Sequence, residues 1–193
     1  MTSPRILAFS GSLRRESINH RLIEVAAKCA TGAGAQATVV RLADFALPLF
    51  NEDDEAQTGL PAGAVRLKKL FLEHDALLIA SPEYNSGYTA ALKNALDWVS
   101  RPAPGEASLA CFKGKAAGVL AASPGGLGGM RGLVSLRMLL GNLGVLVVTE
   151  QFALAKAHEA FDSAGALKDP RAKSSTEAVA LALCELARKI RSI

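Results

Sequence analysis

The fold is decided by residues 9–19, which read Phe9-Ser10-Gly11-Ser12-Leu13-Arg14-Arg15-Glu16-Ser17-Ile18-Asn19. An apolar run of strand length precedes this stretch, and apolar residues recur at helical spacing after it. A strand therefore turns into a helix across a loop that is rich in hydroxyl groups. The first backbone N–H groups of such a helix lack intrahelical partners and lie at the positive end of its dipole. Together with the side chains of the loop, they favour a bound phosphate.

Taken alone, the same stretch is equally typical of an ordinary helix start, with Ser17 as the N-cap and two solvated arginines beside it. The rest of the chain decides between these interpretations. The pattern alternates strands and helices. The predicted strands are 5–10, 37–42, 76–81, 115–122 and 145–150, and the predicted helices are 17–31, 61–73, 89–101, 130–143 and 174–191. This alternation predicts an α/β fold, with a parallel sheet that is covered on both faces.

Length and composition exclude several classes of protein. A chain of 193 residues, half of them hydrophobic, fits a single domain over 1–193. No apolar run approaches the ~18 residues of a membrane span, and the start of the chain lacks a signal-peptide pattern, so we expect a cytoplasmic protein without a membrane partner. The net charge of +4 is scattered, which argues against nucleic acid. Neither the three cysteines nor the three histidines have metal-ligand spacing, so no metal site is expected.

The unusual segments of the chain follow its first, third and fourth strands. The third strand runs into Ser81-Pro82-Glu83-Tyr84-Asn85-Ser86-Gly87-Tyr88, and the fourth runs into Ser123-Pro124-Gly125-Gly126-Leu127-Gly128-Gly129-Met130-Arg131. The carboxyl ends of parallel strands share one edge of the sheet, where ligands of open α/β sheets bind. We therefore expect the three loops to form one site.

Two of these loops suit a flat heteroaromatic ring. Tyr84 can flank a ring face, and Asn85 can form a hydrogen bond with a ring edge. The glycines of the loop after the fourth strand permit close approach of the backbone to a ligand. The alternatives are that the loop after the third strand is an ordinary polar turn, and that the loop after the fourth strand is a flexible connector. Familiar nucleotide motifs fail, because Arg131 replaces the last glycine of Gly-x-Gly-x-x-Gly and no P-loop is complete.

Two motifs with the right spacing carry a resemblance to a known family. They are Gly11-Ser12-Leu13-Arg14-x-x-Ser17-x-Asn19, and Pro82-Glu83-Tyr84-Asn85 running into Leu92-Lys93-Asn94-Ala95-Leu96-Asp97-Trp98. With the glycine-rich loop, they resemble the NADPH-dependent FMN reductases of flavodoxin-like fold, which include quinone, chromate and azo-dye reductases. The resemblance covers about residues 5–150. One departure is Ser86-Gly87-Tyr88-Thr89, where family members often have a proline.

The resemblance implies a flavodoxin-like three-layer sandwich with five parallel strands in the order 2-1-3-4-5. It implies FMN and NADPH as cofactors, with NADH also possible, and a small acceptor such as a quinone, chromate, an azo compound or a flavin. No side chain is then required as a catalytic acid, base or nucleophile, because the hydride chemistry belongs to FMN. The implied cofactor-binding residues are Ser10, Ser12, Arg14, Ser17, Ile18 and Asn19 around the phosphate, Pro82, Glu83, Tyr84, Asn85 and Ser86 along the ring, and Ser123, Gly126 and Gly129 at its opposite edge.

Family members are often dimers or tetramers, and the predicted helix 130–143 is apolar on more than one stripe, so we expect a homodimer or homotetramer. The roles of Arg101 and Arg131 stay open between surface residues and contacts to a subunit or a nucleotide. Two other functions are compatible with the fold. A flavodoxin-type electron carrier would bind FMN without oxidising NADPH. Such carriers are typically acidic proteins, whereas this chain has a net charge of +4. A non-flavin regulatory domain would need an acidic cluster where Ser10, Gly11 and Ser12 stand.

Overall fold

The structure, a computed structural model, describes residues 3–103 and 105–192 of the chain. Within the predicted domain of 1–193, Met1, Thr2, Pro104 and Ile193 therefore lie outside the described residues. Five strands form one sheet in the order β2-β1-β3-β4-β5, and every neighbouring pair is parallel. The strands are β1 Arg5–Ser10, β2 Gln36–Arg41, β3 Ala76–Ala80, β4 Ala116–Ala122 and β5 Leu146–Leu154. The predicted fold and strand order are confirmed.

The described residues form six α-helices, and all of them except α2 bury side chains against the two faces of this sheet. They are α1 Ile18–Gly32, α2 Glu52–Thr58, α3 Ala62–Glu73, α4 Ala90–Ser100, α5 Met130–Asn142 and α6 Pro170–Arg191, and a one-turn 3-10 helix spans Leu42–Phe45. Side chains alternate between the faces along β1, so Ile6 and Ala8 pack with α1 and α6, whereas Leu7 and Phe9 pack with α3, α4 and α5. Two hydrophobic cores, one on each side of the sheet, therefore hold the three layers together.

The central strands are apolar because helices cover both of their sides. All five residues of β3 and all seven of β4 are buried, as a parallel sheet covered on both faces requires. At one edge, β5 carries a bulge: Ala117 of β4 pairs with Val147, but Val119 pairs with Gln151. The carbonyl of Val148, inside this bulge, accepts a hydrogen bond of 2.7 Å from Arg137 Nη1 of α5. The bulge keeps β5 in the sheet for longer than the sequence pattern indicates.

The structure corrects two predicted segments. The acidic run that begins at Glu52 lies outside all the predicted strands and helices, but it forms α2. The Asn51 side chain caps the start of this helix and accepts the Asp53 N–H at 3.0 Å. Acidic residues in a first helical turn are also stabilised by the helix dipole. The connection between the last predicted strand, 145–150, and the last predicted helix, 174–191, is shorter in the structure. The strand β5 continues to Leu154, and Asp169 caps α6, which begins at Pro170.

The carboxyl edge of the sheet brings the first, third and fourth βα loops together. The Gly11 N–H donates to the carbonyl of Ala80 at 2.9 Å, and the Ser81 N–H donates to the carbonyl of Leu120 at 3.0 Å. These bonds extend the ladders β1–β3 and β3–β4 by one residue each. The three loops therefore start from adjacent, rigid strand ends, as the sequence pattern predicts.

Candidate functional site

The loop after β1 is folded by its own hydroxyl groups. Ser10 Oγ accepts the Ser12 N–H at 3.2 Å, Ser12 Oγ accepts the Arg14 N–H at 3.2 Å, and Ser17 Oγ caps α1 by accepting the His20 N–H at 3.1 Å. Each hydroxyl acts as an acceptor in these bonds and so keeps a proton to donate. The loop is therefore both ordered and able to donate hydrogen bonds.

This loop has the properties of an anion site. The N–H groups of Ile18 and Asn19 lie in the first turn of α1, where backbone donors have no intrahelical partner and the helix dipole is positive. The side chain of Arg14 is exposed beside them, and among residues 3–103 and 105–192 no ion pair includes it. A free guanidinium and a helix start thus meet at one loop.

Asn19 has a structural bond that sequence reasoning missed. Its Nδ2 donates to the carbonyl of Ala122 at 2.8 Å, and its Oδ1 accepts the Ala122 N–H at the same distance. The side chain is buried and ties the start of α1 to the end of β4. What Asn19 offers an anion is therefore its backbone N–H. The partner lies 103 residues away in the chain, so no local pattern could have indicated this bond.

The loop after β3 is a tight hairpin. Tyr84 and Gly87 exchange two backbone hydrogen bonds of 3.0 Å, and the residues between them have positive φ angles, 51° at Asn85 and 65° at Ser86. Two central residues with positive φ define a type I′ turn. Proline fixes φ near −65° and is therefore excluded from positions 85 and 86 of this turn. The turn leaves the ring of Tyr84 56% exposed.

Glu83 joins the loop after β3 to the loop after β4. Its carboxylate, 7% exposed, accepts from Arg131 Nε at 2.7 Å and from the Gly132 N–H at 3.1 Å, in the first turn of α5. Burial alone raises the pKa of Glu83, but the hydrogen bonds and the charge of Arg131 outweigh it and hold this pKa below its ordinary value. The side chain is therefore ionised at neutral pH and fixes the spacing of the two loops.

The fold requires glycine at some positions of the loop after β4 but not at others. Gly128 has a φ of 63°, and a Cβ there would lie 2.7 Å from backbone atoms of Ala153 and Ala155. Gly129 has a φ of 95°, and its Cβ would meet Ala121 at 2.7 Å. At Gly126, in contrast, a Cβ would meet no atom within 4 Å. The protein itself does not require glycine at 126, so the free space there is available to a ligand.

Gly11 and Thr89 form a supporting layer under the first loop, which sequence reasoning did not identify. The buried hydroxyl of Thr89 donates to the carbonyl of Gly11 and accepts the Leu92 N–H at 3.1 Å, so it caps α4 as well. A Cβ at position 11 would lie 3.0 Å from the Leu92 side chain. The family motif at 11 is therefore explained by packing against α4.

Most of the residues predicted for the site line two adjoining clefts at the carboxyl edge of the sheet. The first cleft is lined by Ser12, Arg14, Ser17, Ile18, Asn19, Pro82, Glu83, Tyr84, Ala122, Ser123 and Pro124. The second, which shares Glu83 and Ser123 with the first, adds Asn85, Gly125, Gly126, Leu127, Gly128, Gly129 and Arg131. Two predicted residues line neither cleft: Ser10 is buried beneath the first loop, and Ser86 lies in the hairpin turn. The predicted motifs thus meet at one place.

The histidines and cysteines lie outside these clefts. His74 is buried, with Nδ1 2.7 Å from the carbonyl of Leu70 and Nε2 2.8 Å from Thr38 Oγ1. Burial, followed by the charge of Arg41, lowers the pKa of His20. Cys111 and Cys184 are buried, and burial raises the pKa of both thiols. These groups are part of the packing.

Comparison with known proteins places these residues in context. A family model described as NADPH-dependent FMN reductase matches residues 4–159. The chain is 36% identical to a probable NADPH:quinone oxidoreductase of Oryza sativa subsp. japonica, over 98% of this chain and 93% of the relative. It is also 36% identical to an NAD(P)H-dependent FMN reductase of Pseudomonas aeruginosa, over 97% of both chains.

A solved structure resembles the chain along nearly its whole length. It is that of FerB, a flavoenzyme NAD(P)H:(acceptor) oxidoreductase from Paracoccus denitrificans. The TM-score is 0.79 at 30% sequence identity, and the match covers 96% of this chain and 98% of FerB. The likeness therefore extends to α6, beyond the span of the family model.

Proposed function

Because the chain belongs to the NADPH-dependent FMN reductase family and is an oxidoreductase that uses FMN and NAD(P)H, we propose that its FMN occupies the clefts at the carboxyl ends of β1, β3 and β4. The observation that carries this proposal is the meeting of an anion-binding helix start with an open, glycine-lined cleft. A phosphate and a flat ring are the two parts of FMN that such a site must accommodate.

The loop after β1 is the proposed phosphate site. Arg14 supplies a positive charge, the hydroxyl groups of Ser12 and Ser17 have protons to donate, and the N–H groups of Ile18 and Asn19 start the helix. Ser10 supports this loop from beneath by accepting the Ser12 N–H. The donor set suits a dianion, because charge, dipole and hydrogen bonds converge on one point.

The loops after β3 and β4 form the proposed site for the flavin ring. Pro82 and Tyr84 supply apolar surface to the first cleft, and Asn85 supplies an amide to the second. Ser123 lines both clefts, and Gly126 lines the second. The missing side chain at Gly126 leaves space that no protein atom occupies within 4 Å of the Cβ position. These are features expected of a site for a flat ring with polar edges.

When bound, FMN would supply the redox chemistry, which is hydride transfer from NAD(P)H and electron transfer to an acceptor. The residues of this chain bind and orient. Glu83 is already engaged by Arg131 and the Gly132 N–H, and the carboxamide of Asn19 is engaged by Ala122, so neither side chain is free to move protons. We propose that, among residues 3–103 and 105–192, no side chain acts as a catalytic acid, base or nucleophile, because the hydride chemistry belongs to FMN.

We also propose a quinone as one acceptor, with chromate, azo compounds and flavins as further acceptors, because the relatives include a quinone oxidoreductase and the cleft is open. NADPH is the proposed physiological donor, as the description of the family indicates. The chain is proposed to act as one domain in the cytoplasm. Within residues 3–103 and 105–192, no helix is both long and apolar enough to cross a membrane.

A homodimer or homotetramer is proposed as the working form. The predicted second apolar stripe on α5 is present: Leu133, Leu136 and Leu140 are buried, whereas Val134 and Met138 on the same helix are exposed. Exposed apolar surface of this kind favours a protein contact.

The phosphate site is tested by comparing FMN with riboflavin, which lacks the phosphate. Fluorescence titration of the flavin-free protein is expected to give tighter binding of FMN than of riboflavin. Arg14→Ala should weaken FMN by roughly tenfold or more, in line with the loss of a charge-assisted bond, and should leave riboflavin binding unchanged. Arg171→Ala, an exposed arginine at the start of α6, is the matched control and should alter neither. Equal loss of both flavins in Arg14→Ala would contradict the proposed phosphate position.

A further inference from the structure

A hollow that contains three arginines lies on the other side of the loop after β1 from the first cleft. It has a volume of about 500 Å³ and is lined by Leu13, Arg15, Glu16, Ser17, Arg21, Arg41, Ala43 and Asp44. Ser12 and Arg14 of the loop line the first cleft. Leu13 and Arg15, which alternate with them in the sequence, line the arginine hollow. The arginine hollow is therefore adjacent to the proposed FMN phosphate site but separate from it.

Two of the three guanidinium groups are held in place by carbonyl groups of the protein. Arg41 Nη1 donates to the carbonyl of Arg15 at 3.0 Å. Arg21 Nη2 donates to the carbonyl of Asp162 at 3.4 Å, and the same guanidinium lies 4.4 Å from the centre of the Phe161 ring. A guanidinium has several N–H groups, so each of them keeps donors for a ligand. Because these side chains are already oriented, binding a ligand would cost little side-chain entropy.

The arginine hollow has a positive formal charge. Its three arginines outnumber its two carboxylates, those of Glu16 and Asp44. In the described part of the chain, no ion pair includes Arg15, Arg21 or Arg41, and none includes either carboxylate. The start of α1 adds the positive end of a helix dipole. These charges favour an anion.

His20, in the first turn of α1, responds to the same positive charge. Burial lowers its pKa most, and the charge of Arg41 lowers this pKa further. Glu24 and Asp44 raise the pKa of His20, but each raises it by less than Arg41 lowers it. Arg41 is therefore the strongest of the charged side chains that act on His20.

A phosphate monoester is the anion that suits several oriented arginines, because guanidinium groups bind phosphate oxygens with paired N–H groups. NADPH carries such a group on the ribose of its adenosine half, and NADH does not. When the nicotinamide meets the flavin ring, this adenosine half lies at the other end of the dinucleotide and needs a site away from the ring. The arginine hollow lies one loop away from the proposed FMN phosphate site, and its volume is within the range of small-molecule sites, roughly 300–1,000 Å³.

We propose that Arg15, Arg21 and Arg41 bind the 2′-phosphate of NADPH and thereby set a preference for NADPH over NADH. This inference rests on the proposed function, in which NADPH is the electron donor. The loop after β1 then serves two phosphates. Arg14 holds the phosphate of FMN on one side of the loop, and Arg15 binds that of NADPH on the other.

The test is calorimetric titration of the protein with adenosine 2′,5′-bisphosphate and with adenosine 5′-monophosphate, which differ only in the 2′-phosphate. FMN is present in excess, so that its own phosphate site is filled. The wild type should bind the bisphosphate roughly tenfold more tightly or better, as charge-assisted bonds to a phosphate predict. Arg15→Ala and Arg41→Gln should lose most of this difference. Arg171→Ala, an exposed arginine outside the arginine hollow, is the matched control and should keep it.

Steady-state kinetics give a second readout. Arg41→Gln should raise the KM for NADPH by roughly tenfold without lowering kcat, because the lost contact acts on binding alone. The KM for NADH should change little, since NADH has no phosphate at this position. The affinity for FMN should also stay at the wild-type value, whereas Arg14→Ala should lower it.

Folding of the variants is checked by circular dichroism, and Arg15→Ala removes an exposed side chain that forms no ion pair in the described part of the chain. The proposal is overturned if the wild type binds the two adenosine nucleotides equally, or if both folded variants keep the full difference. It is also overturned if the variants lose FMN and both nucleotides together. If neither NADPH nor NADH reduces the bound FMN, the proposed function is wrong, and the titrations still decide what the arginine hollow binds.

Discussion

Glu83 offers the sharpest test of how the site is held together. Replacing it with glutamine keeps the size of the side chain but removes the charge, and it places an amide N–H₂ where Arg131 or the Gly132 N–H expects an acceptor. Hydrogen bonds to a charged group contribute about 1.5–3 kcal/mol. Because Arg131 is 59% exposed, solvent reduces the share of the ion pair. The expected loss of stability at pH 7 is therefore about 1–2 kcal/mol.

The effect of Glu83→Gln should depend on pH with a definite sign. Arg131 and the Gly132 N–H hold the pKa of Glu83 below its ordinary value of 4.5 in the folded protein. A carboxyl group with a lowered folded pKa stabilises the fold above its unfolded pKa, and that contribution is lost as pH falls through the folded pKa. At pH 7 the difference in unfolding free energy between the wild type and Glu83→Gln should therefore have its full value. The difference should shrink below about pH 4.5, which is near the ordinary pKa of a glutamate side chain.

Urea unfolding of the flavin-free proteins measures this gap, from pH 7 down to the lowest pH at which the wild type unfolds cooperatively. Glu73→Gln is the control, since Glu73 pairs with Lys69 at 3.7 Å on the exposed surface, and its replacement should change stability little. FMN should also bind more weakly to Glu83→Gln, because the two loops lose their shared bond. A gap that is absent at pH 7, or equally large at every pH, would refute the role assigned to Glu83.

Four further substitutions test other parts of the site. Gly128→Ala should destabilise the protein by at least about 2 kcal/mol in urea unfolding, because the added Cβ brings both left-handed backbone strain and a clash with the backbone of β5. Gly126→Ala should unfold as the wild type does, but it should bind FMN more weakly in titration. Asn19→Ala should cost about 3 kcal/mol by leaving the buried N–H and carbonyl of Ala122 unpaired, which calorimetry would record as a melting temperature lower by about 6–12 °C. Ser86→Gly should raise stability by about 0.5 kcal/mol, as relief of the left-handed strain exceeds the added chain entropy of glycine. Gly126→Ala with unchanged FMN affinity, or Asn19→Ala with an unchanged melting temperature, would contradict these roles.

Much of the fold could be predicted because local patterns determine it. The apolar run of β3, residues 76–80, has no polar interruption, and only a strand covered on both faces can bury it. The start of α1 was predicted within one residue, since Ser17 is a good N-cap and the apolar spacing begins directly after it. The convergence of the three loops followed from the parallel sheet alone.

Other features depend on contacts that a local pattern does not carry. Helix α2 has no buried residue, so no apolar periodicity marks it, and the cap at Asn51 was its only indication. The length of β5 depends on a bulge that Arg137 supports from α5. The bonds of Asn19 to β4 and of Glu83 to α5 join residues that are 103 and 48 or more positions apart. Sequence reasoning placed both residues at the site, but it could not give their partners.

The proposed function requires that the cleft binds FMN and that NADPH reduces this FMN. The most direct measurement is the absorption spectrum of the protein loaded with FMN, taken without oxygen before and after one equivalent of NADPH, and again after a quinone is added. The flavin bands should bleach with NADPH and return with the quinone. A flavin that stays oxidised would indicate an electron carrier, and a protein that takes up no FMN would contradict the proposed function altogether.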